Sequence, residues 1–269
     1  MMRKKEKRNC CESWYFREQC EHFTCEFLVT IDYDNEGRMT GHLELRLPKG
    51  THSYDFAHPV NMNLKGSLFL VLDKCVFTEA CIHLDIEDVD LSIKGDIYFE
   101  REWGRGQIGL QRKIWAMEQE LSGELWVNGK EFSFDGGKGY LEEYKRKTPT
   151  MEGNYFWTQC NWFGERPFRI VCGSQDRKCF AIINQNSYPI RLAWWKGAKI
   201  EYVCGSAFRM RQGRYILEGW RSEETDVNQL DQTVRYRLTH GSDILFDEIS
   251  RRAMYQYGEQ AGLFLKKGV

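Results

Sequence analysis

Asn128-Gly129 stands between two short runs, Leu125-Trp126-Val127 and Lys130-Glu131-Phe132. Both central residues of a type I′ turn need positive φ, and Asn-Gly supplies it with the least strain. The pair predicts a two-residue hairpin that sets Val127 opposite Lys130, Trp126 opposite Glu131 and Leu125 opposite Phe132. Leu125 and Phe132 then share one face, as cross-strand packing requires. A chain with this hairpin at its middle is building antiparallel sheet, and the segments around it agree. Strands are expected at 14–19 and 24–33. Leu43, Leu45 and Leu47 alternate with polar residues, as do Ile82, Leu84 and Ile86, the pattern of half-buried strands. The odd positions from Val89 to Phe99 are apolar except Gly95, which is expected to bend a long strand. Further strands are expected at 167–172, 179–183, 189–195, 199–204, 214–220, 232–239 and 243–250. A spacing of about ten residues with Gly or polar turns between is the signature of a sandwich or barrel. The fold class is all-β.

Two segments read differently. Residues 48–63, with His52, Tyr54 and His58, are expected to form a loop. Leu110, Ile114, Met117 and Leu121 have helical spacing, which predicts a short helical turn before strand resumes.

Residues 135–163 hold the most unusual residue choices. Asp135-Gly136-Gly137-Lys138-Gly139 has three glycines in five residues, read here as a strand bulge or a close backbone approach. Tyr140-Leu141-Glu142-Glu143 follows, then a polar, basic connection to Asn154. In the strand 155–163, Tyr155, Trp157, Gln159, Asn161 and Phe163 point one way and Phe156, Thr158, Cys160 and Trp162 the other. Aromatics on both faces mean that both faces are covered. Gln159 and Asn161 become buried amides that need partners. Either they form a structural polar network or they face a ligand cavity lined by Trp157.

The formal net charge of −1 lacks the basic footprint of a general nucleic-acid binder. No apolar stretch reaches membrane-spanning length. The basic run at residues 1–8 has no apolar segment behind it and reads as a solvated terminus. A soluble, cytoplasmic protein with no integral membrane segment is expected. Most of the 10 cysteines fall within apolar strand patterns and read as buried free thiols. Cys10, Cys11, Cys20, His22 and Cys25 lie close in sequence, with Cys20 and His22 on one strand face, but their spacing is not that of a zinc knuckle. Asp85, Glu87, Asp88 and Asp90 read as a solvated face. Gly-Gly-Lys-Gly at 136–139 lacks Walker spacing.

GGKGYLEE followed by YFWTQCNWF resembles the tocopherol cyclase-like proteins, which are related to the carotenoid 1,2-hydratases, and this chain is similar to a divergent bacterial-type member. That family carries a Gly-Tyr-x-Glu-Lys-Asp-Trp-Gly motif and then an aromatic-x-Trp-x-Gln-x-Asn-x-Phe strand. Leu121-Ser122-Gly123, Asn128-Gly129-Lys130 and the early Glu12-Ser13-Trp14-Tyr15-Phe16 extend the resemblance. It implies two lipocalin-like antiparallel β-barrels or curved sheets in tandem, here 9–149 and 150–269. Gly139, Tyr140 and Glu142 match the motif, whereas Glu143, Tyr144, Lys145 and Arg146 stand where Lys-Asp-Trp-Gly is expected. Tyr144 thus replaces the expected acid, and Gln119 stands where a histidine often precedes the Leu-Ser-Gly turn.

The chemistry that the resemblance implies is protonation of an isolated alkene inside a dry pocket, followed by ring closure or addition of water. A buried carboxylic acid can supply the proton, aromatic faces can stabilise the cation, and no cofactor is required. Glu142 is the candidate acid, with Tyr140 orienting it or donating a hydrogen bond. Trp14, Tyr15 and Trp157 would line the cation region, and Gln159 and Asn161 would position a polar head group or water. The expected partner is a small hydrophobic ligand of prenyl, terpenoid or polyketide-like type, and no metal is expected. Two alternatives stay open: Glu142 as an acceptor for the backbone N–H groups of residues 136–139, and the whole protein as a non-catalytic carrier or sensor.

Overall fold

The computed structural model describes residues 10–62, 67–108, 112–146, 155–163, 168–175, 178–185, 192–194, 198–222 and 230–258. The basic run at 1–8, most of the connection at 145–154 and the ends of the strand expected at 189–195 lie outside them. The chain is all-β. Among the described residues there is no helix, and the strands form two sheets in tandem, one a half-barrel and one nearly closed. Two compact units result, Met1–Pro149 and Thr150–Val269.

The first unit contains β1 (Cys10–Cys20), β2 (Phe23–Tyr33), β3 (Met39–Leu47), β4 (Gly50–Phe56), β5 (Val60–Asn61), β6 (Phe69–Leu72) and β7 (Cys75–Thr78). It continues with β8 (Cys81–Glu87), β9 (Ser92–Trp103), β10 (Gly106–Ile108), β11 (Arg112–Val127), β12 (Lys130–Ser133) and β13 (Gly137–Arg146). The sheet order is β4-β3-β2-β1-β13-β11-β9-β8-β7-β6-β5, with β10 and β12 also paired to β11. Leu43, Leu45 and Leu47 turn inward as their alternation predicts. They join Trp14, Phe16, Phe27, Phe77, Ile97 and Leu125 in one hydrophobic core. The Asn128-Gly129 hairpin has the expected register, with positive φ at both residues.

The structure corrects four expectations, three of them in the first unit. Residues 110–121 contain no helical turn where they are described: Arg112–Val127 is one strand. Between Ile114 and Gln119 its register against β13 shifts twice, each time with an extra residue on β11. Two bulges destroy a period of two and leave apolar residues at spacings that imitate a helix. Residues 48–63 are not simply a loop, since β4 and β5 lie within them. His22 belongs to the turn between β1 and β2, where it is exposed, and so shares no strand face with Cys20. Of the two readings of the glycine cluster, bulge and close backbone approach, the structure shows the close approach, at Gly137. Gly136 has a φ of 73° in the turn before β13, and Gly137 lies against the Gln19 and Phe134 carbonyls.

Gly95 has a φ of 141°, and a Cβ there would collide with the Glu124 carbonyl oxygen on β11. Backbone cannot yield as a side-chain tip does. Gly95→Ala is therefore expected to destabilise the first unit by about 2 kcal/mol, read from the midpoint of urea unfolding.

The second unit contains β14 (Tyr155–Cys160), β15 (Phe168–Gln175), β16 (Lys178–Gln185), β17 (Leu192–Trp194) and β18 (Lys199–Val203). Then come β19 (Ala207–Gln212), β20 (Tyr215–Arg221), β21 (Gln232–His240) and β22 (Asp243–Gly258). Their order is β17-β16-β15-β14-β22-β21-β20-β19-β18. Phe156, Cys160, Phe163, Phe208, Tyr236, Leu238 and Tyr255 belong to its core. Phe163 was expected opposite Phe156. β14 ends at Cys160, and the irregular backbone at 161–162 releases Phe163 from the alternation to join the core.

Candidate functional site

β1 and β13 run antiparallel with Tyr15 opposite Glu142 and Arg17 opposite Tyr140. On the far side of β13, Ile114 of β11 stands opposite Glu142. Directly opposed residues of neighbouring strands share a face, so Tyr15, Arg17, Tyr140 and Glu142 emerge together, on the side of β1 opposite Trp14 and Phe16. A sheet face with this polarity is ordinarily solvated. Here it is buried throughout.

Glu142 is 1% exposed, and its Oε2 accepts a 2.7 Å hydrogen bond from the Tyr140 hydroxyl. Burial pushes the Glu142 carboxyl above its ordinary range, while Arg112 and the Tyr140 bond pull it back. Burial also raises Tyr140, with Glu142 reinforcing the shift, so the phenol keeps its proton and stays a donor. The Tyr15 and Tyr140 rings meet edge to face, with centroids 6.2 Å apart. Glu142 does not accept from the backbone of residues 136–139 among the described residues; its partner is Tyr140. Tyr144, at the place of the expected acid, is buried with the Arg112 guanidinium 5.2 Å from its ring centroid.

Sequence reasoning missed the charged frame of this face. Arg17 and Glu26 form a buried ion pair, and Arg46 lies 3.7 Å from Glu26 and 2.5 Å from Glu44. Tyr15 faces Glu26, and burial followed by that carboxylate holds its phenol well above the ordinary range. The available signal was two adjacent charges, Arg17-Glu18, inside a strand with aromatics on both faces. One of the two had to be buried whichever way the strand faced.

Trp14 lies on the other side of β1, in the hydrophobic core with Phe16. Trp157, Gln159 and Asn161 belong to the second unit. All three are buried, on or just past β14, as the aromatics on both faces of that strand require. Trp157 lies against Gly173, where a Cβ would crowd the indole, and its ring is 5.1 Å from that of Phe180. Gln159 stands opposite Val171 and Met254 and is 1% exposed, with no hydrogen-bond partner for either amide atom among the described residues. Arg169, also missed from sequence, is buried in the neighbouring strand. On the core side of β14, Thr158 bonds the Tyr236 hydroxyl at 2.5 Å and donates to the Met254 carbonyl at 2.7 Å.

Among the described residues no group of three or more His, Cys, Asp or Glu side chains is placed to hold a metal ion. The described residues contain no helix long and apolar enough to cross a membrane.

The Tyr140–Glu142 bond makes a testable statement about a single proton. A bond to a carboxylate favours its charged form. Tyr140→Phe is therefore expected to raise the Glu142 pKa further, seen as a later carboxyl titration in the NMR spectrum of carbon-13-labelled protein.

No protein-family model matches the chain, and no curated protein matches its sequence. Solved structures do match its fold. A candidate AttH protein from Nitrosomonas europaea shares 10% identity at a TM-score of 0.54, covering 94% of this chain and 93% of that one. Kievitone hydratase from Nectria haematococca shares 12% identity at a TM-score of 0.50, over 93% of this chain and 89% of that one. CghA with Sch210972 shares 9% identity at a TM-score of 0.56, over 94% and 89%. At these identities the likeness is one of fold: a tandem all-β architecture with a hydratase among its members.

Proposed function

We propose that the chain is a cytoplasmic protein of two lipocalin-like domains, 9–149 and 150–269, that binds a small prenyl, terpenoid or polyketide-like ligand. In this reading Glu142 catalyses cofactor-free, acid-promoted hydration, cyclisation or isomerisation of an alkene in that ligand. The observation that carries the reading is the buried Glu142 carboxyl, raised by desolvation and held at one oxygen by Tyr140. Its other oxygen is left to carry the proton. That proton goes to one alkene carbon, and the π pair becomes the new C–H bond. The cation left on the neighbouring carbon is stabilised by the Tyr15 and Tyr140 ring faces. Water, or a hydroxyl of the ligand itself, donates a lone pair to that carbon, and its proton returns to the Glu142 carboxylate. No electron is gained or lost overall. Trp14 stays in the core behind β1; in the second unit, taken by itself, Trp157 is proposed to line the apolar part of a bound ligand, and Gln159 and Asn161 to hold its polar head. The Gln159 amide supports this, since a buried donor and acceptor without protein partners suit a ligand that offers both. The fold shared with a hydratase supports it as well.

Tyr144 at the position of the expected acid favours a second reading, a carrier that binds the same ligand without turning it over. Native mass spectrometry of protein purified gently from its host separates these readings from a scaffold role. A stoichiometric apolar ligand supports both, and an empty protein that also ignores a lipid and terpenoid panel removes both. Turnover of the identified ligand in D2O then decides between them, because protonation by the enzyme leaves one deuterium on carbon.

A further inference from the structure

The core side of β1 carries a second carboxyl. Glu12, Trp14, Phe16, Glu18 and Cys20 alternate along one face, and Glu18 is 0% exposed. Neither of its carboxyl oxygens has a hydrogen-bond partner among the described residues. Gly139 of β13 stands opposite Glu18, and Gln119 of β11 stands opposite Gly139. The three positions share a face, so Glu18 and Gln119 flank a residue without a side chain. The Glu18 carboxyl occupies the space that a Cβ at Gly139 would take, beside Leu121. This explains the last glycine of the cluster: its backbone is ordinary extended strand, and what the position needs is room.

Gln119 is 1% exposed, and its carbonyl oxygen likewise has no partner among the described residues. Two strand spacings, about 10 Å, separate the backbones on which the two side chains stand. Three buried acceptor oxygens thus belong to side chains on either side of one glycine, and buried acceptors require donors. Burial holds the Glu18 carboxyl well above its ordinary range, opposed by Arg17 on the same strand. The other titratable groups near it are the thiols of Cys20 and Cys25. β13 and β11 bring Gly139 and Gln119, which do not titrate. A neutral Glu18 offers one donor and one acceptor, and Gln119 offers a second acceptor.

We propose that Glu18 and Gln119 form a second binding site in the first unit, on the face opposite Glu142, for one hydroxyl group held between the two side chains. The hydroxyl accepts from the Glu18 carboxyl and donates to the Gln119 carbonyl. An enclosed water and a small aliphatic alcohol both supply it. The site is independent of the activity proposed for Glu142.

High-resolution crystal structures of the full chain, prepared in water alone and with added ethanol, test the site directly. An isolated oxygen bonded to both side chains in each preparation identifies water. An oxygen continuous with carbon in the ethanol preparation identifies an alcohol site. Glu18 bonded directly to Gln119, or to any other protein group, with nothing between overturns the proposal.

The proton is tested separately by unfolding the wild type and the near-isosteric Glu18→Gln across pH. A folded pKa raised above the unfolded value means that the native state keeps a proton the unfolded state releases. Stability is then lost as pH rises from the ordinary carboxylate range toward the folded pKa. One such proton makes the unfolding constant climb up to about tenfold more per pH unit in wild type than in the variant. Gln119→Met, which removes only the acceptor, is expected to keep that slope and lose the bound oxygen. Identical slopes in wild type and Glu18→Gln overturn the neutral acid, and with it the site.

Discussion

Glu142→Gln is expected to abolish turnover of the alkene ligand while leaving the ligand bound. The substitution keeps the shape of the side chain and an oxygen to accept the Tyr140 bond, so the face formed by Tyr15, Tyr140 and residue 142 persists. Only the acidic proton is lost. General acid catalysis by a positioned group contributes about 10²- to 10⁴-fold, and an alkene without an acid has no easier path, so a loss at the upper end is expected. The variant should be at least as stable as the wild type at neutral pH, because burial already disfavours the charged form of Glu142. Single-turnover kinetics in D2O with the co-purifying ligand provides the measurement. Wild-type rates in the variant would remove Glu142 as the acid. Ligand binding without turnover in either protein would establish the carrier.

The second large effect concerns the ion pair on this same face. Arg17 is 0% exposed and Glu26 3%. Arg17→Met strands a buried carboxylate whose remaining cation, Arg46, stands 3.7 Å away and is already committed to Glu44. Breaking a buried pair from one side costs about 3–5 kcal/mol, a large share of the roughly 5–15 kcal/mol that holds a domain together. Arg17→Met combined with Glu26→Met removes both charges and should recover most of the loss. Denaturant unfolding of the two single variants and the double variant tests this. A double variant as damaged as the sum of the singles would mean that the two charges are held by other groups rather than by each other. Tyr15 faces Glu26, so the single variants should also disturb the aromatic wall of the proposed site.

The legible parts of this chain are those where local chemistry leaves one solution. Asn128-Gly129 determines its own turn, and a slip of one residue would send Leu125 and Phe132 to opposite faces, so the register could be read directly. The covered faces of β14 were legible because large aromatics alternate on both sides. β11 was not. Its two bulges are decided by partners on β13, and nothing at Ile114 or Met117 announces them. Arg17 and Glu18 look like ordinary surface charges one at a time. Their burial follows from the position of β1 between β2 and β13 inside the sheet, which is a property of the fold. The glycine cluster was read as a bulge or a close backbone approach, yet what needs the room at Gly139 is the Glu18 carboxyl, which lies on another strand. The placement of Tyr140 beside Glu142 follows from the period of two.

The strand order also determines when each unit can be finished on the ribosome. β1 takes β13 as a neighbour, with Cys11 opposite Arg146, so the first strand made waits for the last strand of its sheet. The second unit repeats the arrangement, with Tyr155 opposite Gly258. Closing such long loops is entropically costly and makes assembly slow. Each nascent sheet therefore has an open edge along β1 or β14 for most of its synthesis, the condition under which chains pair wrongly or aggregate. The first unit can seal its edge once Arg146 has emerged, before any of the second is available. The second stays unsealed until β22 has emerged, which makes β22 the element on which completion of that sheet depends.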